Sequence, residues 1–114
     1  MATSGSYPIL KINILATANL ISNRFVSSSG GVPAAGGNTL GVAENPVLSG
    51  NWATVCNIGT AVVETGGAIA QYATIGVDAL GRAVTWTSGA KVGQALWPAA
   101  SGDLIECLLI QNVA

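Results

Sequence analysis

The chain contains no histidine. A serine or cysteine nucleophile therefore lacks its commonest base. With only two cysteines and no CxxC pair, the ligand clusters of a transition-metal site are missing as well. Charge is almost as scarce. Only 8% of the 114 residues are Asp, Glu, Lys or Arg, against roughly 25% in an average soluble domain. The four cations, Lys11, Arg24, Arg82 and Lys91, are scattered, so no basic patch can neutralise phosphates and nucleic acid is not an expected partner. Long apolar runs are absent too. The most apolar segment, LIECLLI, is far too short to cross a membrane and carries Glu106. The first residues, MATSGSYPILKINI, have no basic segment leading into a long apolar core, so a secretory leader is not expected and synthesis in the cytoplasm is.

The remaining reactive groups are isolated. Asp103 and Glu106 read as turn or edge residues, Asp103 following Gly102 and capping the Ser-Gly turn. The glycine-rich SSSGGVPAAGG has no Gly-Lys-Ser/Thr ending, so it is not a phosphate loop. Cys56 and Cys107 sit in apolar stretches and read as buried free thiols. The sequence thus gives no catalytic residue, no metal site and no cofactor site, and an enzyme is not expected.

What is present is glycine, fifteen residues of it, with four prolines and short runs of Val, Ile, Thr and Leu between them. That spacing predicts many short strands joined by tight turns, hence an all-β fold: one small β-barrel or β-sandwich. The predicted strands are 9–15, 24–27, 40–43, 53–58 and 60–64 split by Gly59, 82–87 after a turn at 78–81, 92–96 and 104–110, with 69–74 either a strand or a short exposed ladder. SSSGGVPAAGG reads as a flexible loop, and Met1–Tyr7 as a flexible arm. One hundred and fourteen residues leave room for a single domain. Half of them are apolar, net charge is −1 and mean hydropathy is positive, so the chain is expected to self-associate and to be covered by partners.

The chain also repeats itself. LGVAENPVLSGNWATVCNI from Leu40 aligns without a gap on VGQALWPAASGDLIECLLI from Val92. Gly41 falls on Gly93, Ala43 on Ala95, Pro46 on Pro98, Gly50 on Gly102 and Ile58 on Ile110. Glycine and alanine two residues apart keep one strand face small, so another backbone can approach. Proline ends the pairing and Ser-Gly makes the turn. Two copies of such a strand-turn-strand piece can occupy equivalent places in a small barrel. Three tryptophans are many for this length. Trp97, beside Pro98 in a turn, reads as an interface anchor, and Trp52, at the turn exit, as core. Exposed tryptophan could also stack on sugar, but Asn51 is the only neighbouring amide suited to hold hydroxyls.

The segments TLGVAENPV, GTAVVETGGAIAQYATIGVDALGRAV and KVGQALWPAASGDLIECLLI resemble the small phage capsid decoration, or cement, proteins. The resemblance runs from about Arg24 to Ile110. It departs at Trp97-Pro98, and the first 20 residues carry no matching motif. The resemblance implies a head-stabilising virion protein on the capsid outer surface, made in the host cytoplasm. Its partners would be the major capsid protein and further copies of itself, as homodimer or homotrimer. The division implied is 1–23, an N-terminal arm and first strand, and 24–114, a β-barrel decoration domain. The interface candidates are Tyr7, Pro8, Ile9 and Leu10, able to add a strand to a partner sheet, with Trp97 and Pro98. Gly41, Gly50, Gly93 and Gly102 are the turn and repeat glycines. A tail, baseplate or fibre β-module and a sugar-binding β-module are the alternatives.

Overall fold

A computed structural model describes residues 7–110. It contains eight strands: β1 (Tyr7–Leu15), β2 (Phe25–Val26), β3 (Gly41–Ala43), β4 (Trp52–Glu64), β5 (Thr74–Val77), β6 (Ala83–Thr85), β7 (Gly93–Ala95) and β8 (Leu104–Leu109). They form one antiparallel sheet in the order β2-β3-β4-β8-β7-β5-β6, with β1 also paired to β4. The sheet nearly closes into a barrel. The Phe25 N–H donates to the Gly81 carbonyl at 2.8 Å, and Thr65 bridges Ala83. Of the all-β barrel or sandwich read from the glycine spacing, the barrel is the observed fold. Expected residues 1–6 of the arm lie outside the described residues.

β4 organises the molecule. Its first half pairs with β1 on one side and β3 on the other, and its second half pairs with β8. The expected break at Gly59 is not a break in the strand. Gly59 has φ +113°, and β1 slips its register there, pairing Pro8 with Gly59 but Leu10 with Ile58. An added Cβ at Gly59 would overlap the Tyr7 carbonyl oxygen and lie 2.8 Å from Ile9 N. Glycine lets β4 change partners without ending.

The repeat extends through the whole barrel. From Leu40 onward the two copies are 52 positions apart (Gly41 to Gly93), and before that loop 49 apart (Leu20 to Ile69). β3 pairs with β4 as β7 pairs with β8: Val42 faces Cys56 and Gln94 faces Leu108. β1 pairs with the first half of β4 as the second half of β4 pairs with β8: Leu15 faces Trp52 and Glu64 faces Leu104. The Leu20–Val47 bridge returns as Ile69–Ala99. Asn23 and Tyr72, the two non-glycine residues with positive φ among the described residues (62° and 66°), are equivalent, and each donates its N–H to the equivalent alanine, Ala43 or Ala95. Unit one is thus residues 11–58 and unit two residues 60–110. Each unit has its own core. Leu20, Val26, Ala43, Ala53 and Val55 pack in one, and Ile69, Ile75, Ala95, Ile105 and Cys107 in the other. Full burial of a residue such as Phe25, Ile75 or Ile105 is worth about 1.5–3 kcal/mol.

Several sequence expectations are displaced. The strand or short ladder expected over 69–74 is a bridge at Ile69 followed by a turn, in which the Ala73 N–H donates to Ala70 O, and the strand starts at Thr74. SSSGGVPAAGG is tied down: Thr17 N–H donates to Gly30 O, Gly36 N–H to Val77 O, and Ala90 N–H to Gly36 O. The loop thereby stitches unit one to unit two. Glu106 is not an edge residue. It is buried on β8 and accepts the Thr60 hydroxyl at 2.6 Å. Asp103 does cap its turn, accepting the Ala100 N–H at 2.9 Å.

Candidate functional site

The interface candidates fall on two elements. Tyr7, Pro8, Ile9 and Leu10 begin β1, and all four are exposed, Ile9 to 80%. Among the described residues, β4 alone pairs with this segment, on one side. The Tyr7 N–H donates to Thr60 Oγ1 at 2.9 Å, and that hydroxyl donates in turn to buried Glu106. The start of β1 is therefore fixed by backbone and hydroxyl bonds while its side chains point outward. Further along, Ile12 and Ile14 pack on the unit-one core, leaving Lys11, Asn13 and Leu15 on the outer face, with Lys11 paired to Glu44 at 3.0 Å. An edge strand of this kind is open to pairing with another chain.

Trp97 and Pro98 lie in unit two, in the β7–β8 connection. Pro98 is exposed, whereas Trp97 is half-buried and packs on the unit-two core. The Trp97 Nε1 is buried without an acceptor among the described residues. Trp52, expected in the core, is 68% exposed beside Leu15, its cross-strand partner. The strand alternation explains this. Ala53 and Val55 take the inward positions of β4, so Trp52 faces out. Trp86 is held by its Nε1 donating to Gly89 O at 3.0 Å and by Lys91 Nζ 4.7 Å above its ring.

The repeat glycines divide into two equivalent pairs. Gly41 and Gly93 permit close approach: an added Cβ at Gly41 would overlap the Cys56 carbonyl oxygen, and at Gly93 it would lie 2.6 Å from Leu108 O. Gly50 and Gly102 have φ of +92° and +88° with open space around them, so they serve turn geometry.

The titratable groups are engaged in holding the fold. Arg24 pairs with Glu64 at 3.2 Å and Arg82 with Asp78 at 2.9 Å. Asp78 also accepts the backbone N–H groups of Leu80 and Arg82, which builds the expected turn over 78–81. Both cysteines are free and buried. Burial, with Glu106 adding to it, pushes the Cys107 thiol up to about 12. Burial, then Glu44, raises Cys56, with Lys11 opposing. Both thiols are therefore held in the unreactive protonated form. Among the described residues no cluster of His, Cys, Asp and Glu could hold a metal ion. Three surface concavities enclose about 210, 280 and 250 Å³, below the roughly 300–1,000 Å³ of typical small-molecule sites.

What the described residues offer to another molecule is apolar surface on a rigid duplicated barrel, which defines a small all-β structural module. Among solved structures, the chain is similar to the N base of the head fiber gp8.5 of bacteriophage phi29. The TM-score is 0.73 at 19% identity, over 92% of this chain and 98% of that one. No curated protein matches the chain. A sequence profile described as phage cement protein matches residues 5–110, so the chain belongs to the phage cement protein family. It is a structural protein associated with the phage head.

Proposed function

We propose that the protein decorates the outside of an icosahedral phage head, binding major capsid protein subunits and stabilising the contacts between them. The observation that carries this reading is the start of β1. Tyr7, Ile9 and Leu10 are exposed to 68%, 80% and 42% on a strand with an open edge. A strand added along that edge gains affinity from backbone hydrogen bonds, and the apolar side chains supply the rest. Trp97 and Pro98 form a second contact in unit two. The protein acts in clusters of two or three copies. Many modest contacts shared across one shell then add through effective concentration. No reaction and no cofactor enter this function. Family membership and the fold shared with a head fiber base support it.

The test is reconstitution on expanded heads purified without this protein. Added protein should co-sediment to a plateau set by the number of capsid subunits, and should raise the temperature at which heads release DNA. Ile9→Asp with Leu10→Asp should weaken binding without unfolding the barrel, since both residues are exposed. Failure to co-sediment, or binding to tails alone, would refute the proposal.

A further inference from the structure

The two units of the duplication meet head to tail inside the chain, and we propose that the same contact recurs between chains. The β1–Trp52 face of one copy receives the Tyr72–Ala73 corner of a second copy. This names the surface for the self-association in the reading above and rests on that part of it alone.

The internal contact is specific. The corner of unit one, Asn23 to Phe25, covers the first strand of unit two. Glu64 N–H donates to Asn23 O at 2.8 Å, Arg24 grips the Glu64 carboxylate at 3.2 and 3.3 Å, and Phe25 N–H reaches Gly81 O. Phe25, Val42 and Cys56 of unit one complete the core of unit two. Among the described residues no hydrogen bond runs from the equivalent corner of unit two back to unit one. The equivalent corner of unit two, Tyr72 to Thr74, bonds within unit two: Tyr72 N–H to Ala95 O, and Trp86 N–H to Thr74 O. The core of unit one is correspondingly less covered. Ile12, Ile14 and Leu40 are partly buried, where their equivalents Ala61, Val63 and Val92 are buried. A contact between two different faces, used once within a chain of two units, leaves one of each face unused. Such a heterologous contact propagates to the next copy.

The two unused faces both differ from their internal counterparts, and in a matching way. Where the internal contact has Arg24, the free corner has Ala73, and where it has Glu64, the free face has Leu15. An apolar pair stands where the internal contact has an ion pair, on two surfaces with no hydrogen bond between them among the described residues. Losing one charge alone would have left its partner uncompensated in a covered contact. The large side chains follow the same pattern. Trp52 is 68% exposed where the equivalent Leu104 is half-buried, and Tyr72 is 63% exposed where Asn23 is half-buried. Thr74 and Gln94 stand where Phe25 and Val42 close the internal contact. At that pair alone the external contact is polar where the internal one is buried core, as suits a contact formed between separately folded chains.

The test is the mass of the full-length protein in solution by light scattering and sedimentation, without heads. The wild type should be an oligomer. Leu15→Glu should weaken association by at least about tenfold, because it places an unpaired charge in the contact; Ala73→Arg should do the same. The double variant should re-associate, because it rebuilds between chains the pair that Arg24 and Glu64 form within one. Circular dichroism checks each fold, and Trp52→Ser, at an exposed position, supplies a second disrupting variant should Ala73→Arg not fold. A wild type that is monomeric at every concentration overturns the inference. So does unchanged association in both Leu15→Glu and Trp52→Ser, or a folded double variant that stays dissociated. A monomer that still binds heads refutes this contact and leaves the capsid reading intact; an oligomer that ignores heads does the reverse.

Discussion

Gly41→Ala should be the most damaging one-carbon change among the repeat glycines. The added Cβ would overlap the Cys56 carbonyl oxygen and lie 2.7 Å from Val55 Cγ1 and 2.8 Å from the Cys56 carbonyl carbon. Two of these three atoms are backbone of β4, which is pinned by β1 on its far side. The clash cannot be relieved by a rotamer change, and β3 must separate from β4. Overpacking of a well-packed site costs about 1–3 kcal/mol, and a backbone clash on a central strand belongs at the upper end. At about 4 °C per kcal/mol for a chain of this size, the midpoint should fall by roughly 12 °C. Gly93→Ala meets Leu108 O at 2.6 Å but otherwise the flexible end of Ile75, so its loss should be smaller, about 2 kcal/mol. Gly50→Ala meets nothing within 4 Å and carries only the strain of a positive φ, about 1 kcal/mol. The assay is thermal and urea unfolding by circular dichroism at one fixed protomer concentration, because self-association would shift the midpoint. If Gly41→Ala costs less than Gly50→Ala, the close approach of β3 to β4 is not a determinant of this fold.

Two further outcomes follow from the same structure. Arg24→Ala leaves Glu64 half-buried without its partner and should cost about 1 kcal/mol; adding Glu64→Leu, which copies the Ala73 and Leu15 pairing, should recover most of it in the same unfolding assay. Cys107, with its thiol raised from 9.0 to about 12, contributes to alkaline sensitivity. Below pH 9 both folded and unfolded chains keep the proton, whereas between 9 and 12 only the unfolded chain releases it. Stability should then fall with rising pH, by at most about 1.4 kcal/mol per unit from this group, and Cys107→Ala should flatten the slope.

The sequence reveals the half of the duplication in which side chains repeat. Gly41 and Gly93, Ala43 and Ala95, and Gly50 and Gly102 each meet the same steric or turn requirement in both units, so the same residue type returns. The other half is hidden because only the backbone repeats. Asn23 and Tyr72 share a positive φ and a hydrogen bond to equivalent alanines, yet nothing in their side chains says so. Phe25 and Thr74 are equivalent, but one closes a core and the other is only half-buried. Chain order also conceals that β4 serves both units, since its pairing with β1 and β8 depends on residues 37 to 53 positions away, such as Thr60 with Leu108, 48 apart. Trp52 faces out for a reason that its place at a turn exit does not show: Ala53 and Val55 hold the inward positions of β4. The apolar start of β1 was legible from PILKINI. That Thr60 and Glu106 anchor it was not, because those residues meet only in the folded barrel.

Cryo-electron microscopy of intact virions tests the account most directly. It predicts ordered density for this barrel on the outer face of the head, repeated in proportion to the capsid subunits, with the Tyr7–Leu10 end of β1 against the shell. Density confined to the tail, or a few copies without capsid symmetry, would contradict it.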